Sequence, residues 1–224
     1  MRCYIGRNRF PICKSTSMSA TRPHVTTGSR SRGRPREFNV DQALDRAVRV
    51  FSERGYHGAS ITDLTRAMRV AQGSLYKAFK DKQALFLAAF ERYRAQRSET
   101  LQRALGNAGT GLERLRATLV FYADSAQGAA GRQGCLVVGS TVELCAFDQP
   151  VARHIAGALA RNEAFLAELI RQGQEDGSIP AHVNVEATAQ MLLCLTQGMR
   201  VVGKTGRSRA QMQAVAAAAL KVLT

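Results

Sequence analysis

Apolar positions recur with a helical period along most of the chain. Leu44, Ala47, Val48 and Phe51 fall at i, i+3, i+4 and i+7, a spacing that places four side chains on one face of an α-helix. Asn39, with Gln42 three residues on, reads as the N-cap of that helix, and Gly55 as its stop. Ser60 caps a short second helix, with Ile61, Leu64 and Met68 on its inner face. Arg69 and Val70 break the pattern. A third short helix turns Ala71, Leu75 and Phe79 inward. Asp81 caps a long fourth helix from about Lys82 to about Leu105.

The same period continues after a loop at Gly106–Gly111. Leu112, Leu115, Leu119 and Tyr122 mark a fifth helix, and Gly128–Gly134 reads as a loop. A sixth helix covers about Cys135–Ala146. Asp148 caps a long seventh, whose stripe is Val151, Ile155, Leu159, Leu166 and Ile170. Gly177 to Asn184, with Pro180, is a loop. Two last helices run over about Val185–Val202 and Arg209–Leu223. No strand is predicted, so the expected class is all-α with about nine helices. Three domains are expected: an arm at 1–36, a three-helix unit with the start of the fourth helix at 37–92, and a helical bundle at 93–224.

Charge sharpens this division. The 224 residues carry 32 Lys+Arg against 17 Asp+Glu, a net charge of +15. Nine of the basic residues and none of the acidic ones lie in 1–36. That segment has no hydrophobic period and reads as a disordered basic arm, with Met18 as a second candidate start. So basic a chain suits an anionic partner, nucleic acid or a membrane surface. No run reaches the roughly 18 apolar residues of a membrane span. No secretory signal is evident, so a cytoplasmic protein is expected. Cys3, Cys13, Cys135, Cys145 and Cys194 show no metal spacing. On one helix, Cys135 and Cys145 would stand about 15 Å apart, beyond the roughly 7 Å that a disulfide spans.

The segment Ser60–Lys82 carries the candidate chemistry. Two short amphipathic helices joined by a tight turn form a helix-turn-helix, whose second helix enters the major groove of double-stranded DNA. Thr62 opens the first helix, where free N–H groups favour a phosphate. Gln72, Gly73 and Ser74 occupy the first turn of the second. Gln72 suits bidentate pairing with adenine, and Gly73 permits close backbone approach. Ser74, Tyr76 and Lys77 reach phosphates or base edges, and Lys82 offers a further phosphate contact. In the arm, Arg32-Gly33-Arg34-Pro35 is similar to the core of an AT-hook, in which Arg32 and Arg34 would enter a narrow minor groove.

Taken together, these residues resemble a family. Arg32-Gly33-Arg34-Pro35-Arg36, Phe51 with Gly55-Tyr56, Ser60-Ile61-Thr62, Gly73-Ser74-Leu75-Tyr76, and Phe79 ahead of Lys82-Gln83-Ala84-Leu85 look like the DNA-binding domain of TetR/AcrR-type regulators. The likeness covers about residues 32–92. It implies that 93–224 is a ligand-binding and dimerisation domain. It further implies a homodimer, joined through about 185–223, that binds a palindromic operator, usually represses, and releases DNA when a small-molecule effector binds. No cofactor, metal or catalytic role is implied. Three positions depart from the pattern: Arg69 stands where the turn often has Gly, Ala78 where an aromatic or His is common, and Lys80 where Pro is common.

Between helices of the bundle, Tyr122, Thr141, Glu143, Cys145, Phe147, Phe165, Met191 and Cys194 are candidate pocket residues. Gly198 to Thr205 matches the phosphate-loop pattern GxxxxGK[ST]. It closes a helical stripe rather than following a strand, and only 19 residues follow, so it reads as a helix end. His24, His57, His154 and His182 form no acid–base or metal constellation. The rival readings are a small-molecule enzyme or carrier built on the bundle, and a protein that coats nucleic acid without sequence preference.

Overall fold

A computed structural model describes residues 39–106 and 108–223, which fall in one compact unit. The arm, with Arg32 and Arg34, lies outside the described residues. The described residues form ten α-helices and no strand. They are α1 (Val40–Gly58), α2 (Ile61–Met68), α3 (Gln72–Ala78), α4 (Lys82–Leu105), α5 (Gly111–Ser125), α6 (Gly128–Gln133), α7 (Leu136–Leu144), α8 (Gln149–Glu175), α9 (Val185–Gly203) and α10 (Arg209–Leu220). A 3-10 turn, Lys221–Leu223, follows α10.

The caps read from the sequence set the helix starts. Asn39 accepts from the N–H of Gln42, Asp81 from that of Ala84, and Asp148 from that of Val151. Ser60 and Asp63 form a reciprocal capping box. Gly55 breaks α1 with φ 75 and ψ 177, and a further turn runs on to Gly58. The difference is α6, in a stretch expected to be loop. Six residues are too few to show a period, and packing decides their shape. Gly131 lies against the end of α5, where an added Cβ would stand 2.7 Å from the Ala126 carbonyl oxygen.

Two cores hold the helices. The first joins Ala47 and Phe51 of α1, Leu64 of α2, Leu75 of α3 and Phe86 and Phe90 of α4 to Leu136 and Leu144 of α7 and Ile155 of α8. Each buried Phe or Leu contributes about 1.5–3 kcal/mol of transfer free energy. The second joins Leu115 and Leu119 of α5, Ile170 of α8, Leu192 and Met199 of α9 and Met212 and Ala216 of α10. The long helix α8 therefore serves both. The helix-turn-helix unit does not close its core alone; α7 and α8 complete it.

Arg92 of α4 ties back to α1 through Asp45 at 2.8 Å and Asp41 at 3.4 Å. The hydrogen bond from Arg92 holds the Asp45 carboxyl below its ordinary range. At the far end, α5 starts against α8 so closely that a Cβ on Gly111 would run into the backbone of Gly173. The Gly111 N–H also donates to Asp176 Oδ2 at 2.6 Å. Gly111→Ala is expected to lower the unfolding free energy by about 1–3 kcal/mol in urea titration. An unchanged midpoint would contradict this close approach.

Candidate functional site

The turn between α2 and α3 depends on Arg69, which takes the left-handed conformation, φ 59 and ψ 43. That conformation strains a side chain with a Cβ. Arg69 donates its backbone N–H to the Arg66 carbonyl, and Arg46 donates to the Met68 carbonyl at 3.2 Å. The carbonyls at the end of α2 are thus partnered. Arg54 reaches the Asp63 carboxylate at 2.8 Å. Hydrogen bonds from the Ser60 hydroxyl and N–H hold that carboxyl low, with a smaller contribution from Arg54. Leu64 and Leu75 are fully buried beneath the two helices.

On the opposite side, Thr62, Gln72, Gly73, Tyr76 and Lys77 are exposed, and Ser74 is half-buried. An added Cβ on Gly73 would meet nothing, so the protein's own packing does not require glycine there. Lys82 is held differently. Its ammonium lies 4.6 Å from the centre of the Tyr56 ring, and that ring packs edge-on against Phe86 at 5.2 Å. Burial lowers the Lys82 pKa, opposed by the nearby charge of Glu143.

Glu143, expected to line a pocket, faces a hollow between α1 and α7 that it shares with Tyr56, Ser140 and Lys204, and there it caps the last turn of α1. Its carboxylate accepts from the backbone N–H of Tyr56 at 2.8 Å and of His57 at 2.6 Å. Gly55 makes the approach possible, because an added Cβ would stand 2.6 Å from Glu143 Oε2. The helix-turn-helix unit is thereby fastened to α7.

The other end of α7 reaches a cavity of about 230 Å³ lined by residues of α4, α5, α7, α8 and α9 and by Cys135, the residue before α7. Of the expected pocket residues, Tyr122 and Phe165 line this cavity. Thr141 turns its hydroxyl back to the Val137 carbonyl, and Cys145 packs on the first core. Phe147 is exposed, and Met191 and Cys194 lie on the outward side of α9. Periodicity marks apolar faces but does not tell an inward face from one left open.

Several residues in and behind the cavity wall escaped sequence reasoning. Arg97 stacks on Phe121 at 4.3 Å and donates to the Ser125 hydroxyl at 2.7 Å. The Tyr93 hydroxyl donates to Cys135 Sγ at 3.4 Å. Arg200 is buried and donates to the Gly134 carbonyl at 2.5 Å. A signal did exist: Arg200 is the lone charge in the apolar run from Met191 to Val202, and Glu143 is the lone charge of α7. A charge on an otherwise apolar helix marks a specific partner.

Gly198 to Thr205 falls on the last turns of α9 and the turn after it. Gly203 there packs against the backbone of Ala126, a helix-packing role. Cys135, Cys145 and Cys194 are free thiols.

A helix-turn-helix unit continued into a helical bundle with an internal cavity defines a class of bacterial regulators. Residues 43–89 match the family model described as bacterial regulatory proteins, tetR family. Residues 111–219 match that of the tetracyclin repressor-like C-terminal domain. The chain belongs to the TetR family. It is 29% identical over 196 residues to the transcriptional repressor ComR of Escherichia coli, covering 86% of this chain and 92% of that one. It is 30% identical over 173 residues to the transcriptional regulator AcuR of Cereibacter sphaeroides, covering 75% and 78%. Among solved structures it is similar to a cysteine mutant of the TetR family regulator CifR complexed with 26-bp double-strand operator DNA. That match has a TM-score of 0.78 and 30% identity, covering 86% of this chain and all of that one.

Glu143→Ala is expected to cost about 1.5–3 kcal/mol, the worth of hydrogen bonds to a charged acceptor. It should also speed amide hydrogen exchange at Tyr56 and His57 above that of the rest of α1. Equal exchange in both proteins would show that the carboxylate does not hold this joint.

Proposed function

We propose that this protein is a homodimeric repressor that binds a palindromic operator and releases it when a small molecule fills the cavity. The observation that carries the reading is the outward face of the helix-turn-helix. Gln72, Tyr76 and Lys77 stand exposed there with no side-chain hydrogen bond or ion pair among the described residues. Beneath them, Leu64 and Leu75 are locked in the core. Such a face suits base edges from the first turn of α3 and phosphates from Thr62, Ser74, Tyr76, Lys77 and Lys82. The CifR complex, with operator DNA bound, supports it.

The exposed faces of α9 and α10 support dimerisation. On α9, Met191, Cys194, Gly198 and Val201 are exposed at the spacing of one helix face. On α10, Ala214, Ala217 and Ala218 are exposed as well. An added Cβ on Gly198 would meet nothing within this chain. Small residues on open helix faces allow close approach of a second pair. Ligand release is supported by α7, which runs from the cavity at Cys135 to the clamp at Glu143. A molecule that displaces one end of this short rigid helix displaces the other.

Selection from random duplex DNA at about 150 mM salt tests the reading. An inverted repeat is expected. Gln72→Ala should relax preference at one base pair of each half-site, and Lys77→Ala should weaken all sequences alike while lowering the log–log salt slope by about 1. Recovery of unrelated sequences, with and without residues 1–36, would overturn specific recognition. Gly198→Trp should convert a mass of two chains to one by light scattering while leaving the helical circular dichroism unchanged. A dimer that survives this bulk would place the interface elsewhere.

A further inference from the structure

The cavity is lined on one side by Phe121, Tyr122, Phe165 and Val137, and on another by Arg94, Arg97 and Arg161. No acidic residue lines it. Arg94 is paired with Glu91 at 2.7 Å. Neither Arg97 nor Arg161 has a carboxylate partner among the described residues.

Behind the wall lies a stronger feature. Arg200 is only 4% exposed. One of its nitrogens donates to the Gly134 carbonyl, while its Nε and Nη1 are buried with no hydrogen-bond partner. Its charge bears on Tyr93, Tyr122 and Cys135, which all line the cavity. Gln197, one turn earlier on α9, lines it too. A buried guanidinium with two idle donors is a costly arrangement unless an anion answers it.

Resting on the reading of this cavity as the effector site, we propose that the effector is a small carboxylate with an aromatic or short apolar body. The planar guanidinium of Arg97, which lines the cavity, matches the two oxygens of a carboxylate, and the buried charge of Arg200 behind the wall favours an anion there. The apolar body packs between Phe121, Tyr122 and Phe165. A cavity of about 230 Å³ lies at the small end of ligand pockets, so the molecule is small.

Cys135 agrees with a cationic environment. Burial pushes its thiol up, but Arg200, the Tyr93 hydroxyl, the Val138 N–H and Arg97 together outweigh burial and bring it below the ordinary thiol value. A carboxylate beside the thiol opposes that lowering and shields the sulfur, so labelling of Cys135 reports occupancy.

The test uses the full chain with benzoate and phenylacetate, each against its primary amide. Labelling of Cys135 by N-ethylmaleimide is followed by mass spectrometry. At saturation the acids are expected to slow labelling roughly tenfold and the amides to leave it unchanged. Arg97→Met should weaken protection by the acids roughly tenfold, and Arg97→Lys much less. Equal protection by acid and amide, protection by neither, or an Arg97→Met protein protected like the wild type would overturn the proposal. Operator affinity is measured on the same samples. Acids that protect Cys135 without loosening the operator would leave the anion site standing and overturn its effector role.

Discussion

One carboxylate joins the two halves of this protein. Glu143 receives the N–H groups of Tyr56 and His57 in the turn of α1 that follows the break at Gly55. Without Glu143 the part-buried Tyr56 N–H would lose its partner, at about the cost of a hydrogen bond, while the exposed His57 N–H would turn to water. The joint needs Gly55 on one side, both for its positive φ and for the space a Cβ would take from the carboxylate. It needs α7 on the other, held by Leu136 and Leu144 in the first core. The Tyr56 ring, fixed at the same place, in turn seats the Lys82 ammonium at the start of α4.

Because α7 has only nine residues, the cavity and the joint are two ends of one rigid element. Its N-terminal neighbour, Cys135, sits among Tyr93, Arg97 and Arg200, where charge is poorly balanced. Its C-terminal end holds the helix-turn-helix. An imbalance at one end and a hydrogen-bonded joint at the other is the physical basis of the proposed coupling, in which an occupant of the cavity would change the energy of α7's position. The α2–α3 turn adds a local rigidity of its own. Arg69 holds a left-handed conformation that few non-glycine residues adopt, and buried Leu64 and Leu75 keep it there.

Much of the fold was legible in the chain. Asn39, Ser60, Asp81 and Asp148 cap helices as their side chains imply, because capping is a contact between residues two or three apart. The stripes on α1, α2 and α8 face the cores for the same local reason. The short helix α6 was not legible, since its Gly131 is fixed by contact with Ala126 and Gly203. Nor was the cavity wall. Tyr122 and Phe165 line it, whereas Met191 and Cys194, on equally apolar stretches, sit on an open helix face.

The sequence by itself determined the helical class, the helix starts, the helix-turn-helix string and the family, because each is written in spacings of a few residues. Tertiary structure alone decided what the lone charges are for. The hydrogen bonds of Glu143 exist only once α1, up to 87 residues away in the chain, is packed against it. Arg200 reads as an ordinary arginine until α9 carries it behind Cys135. Their roles depend on partners distant in sequence and on the low dielectric that packing creates around them, and neither is present until the chain has folded.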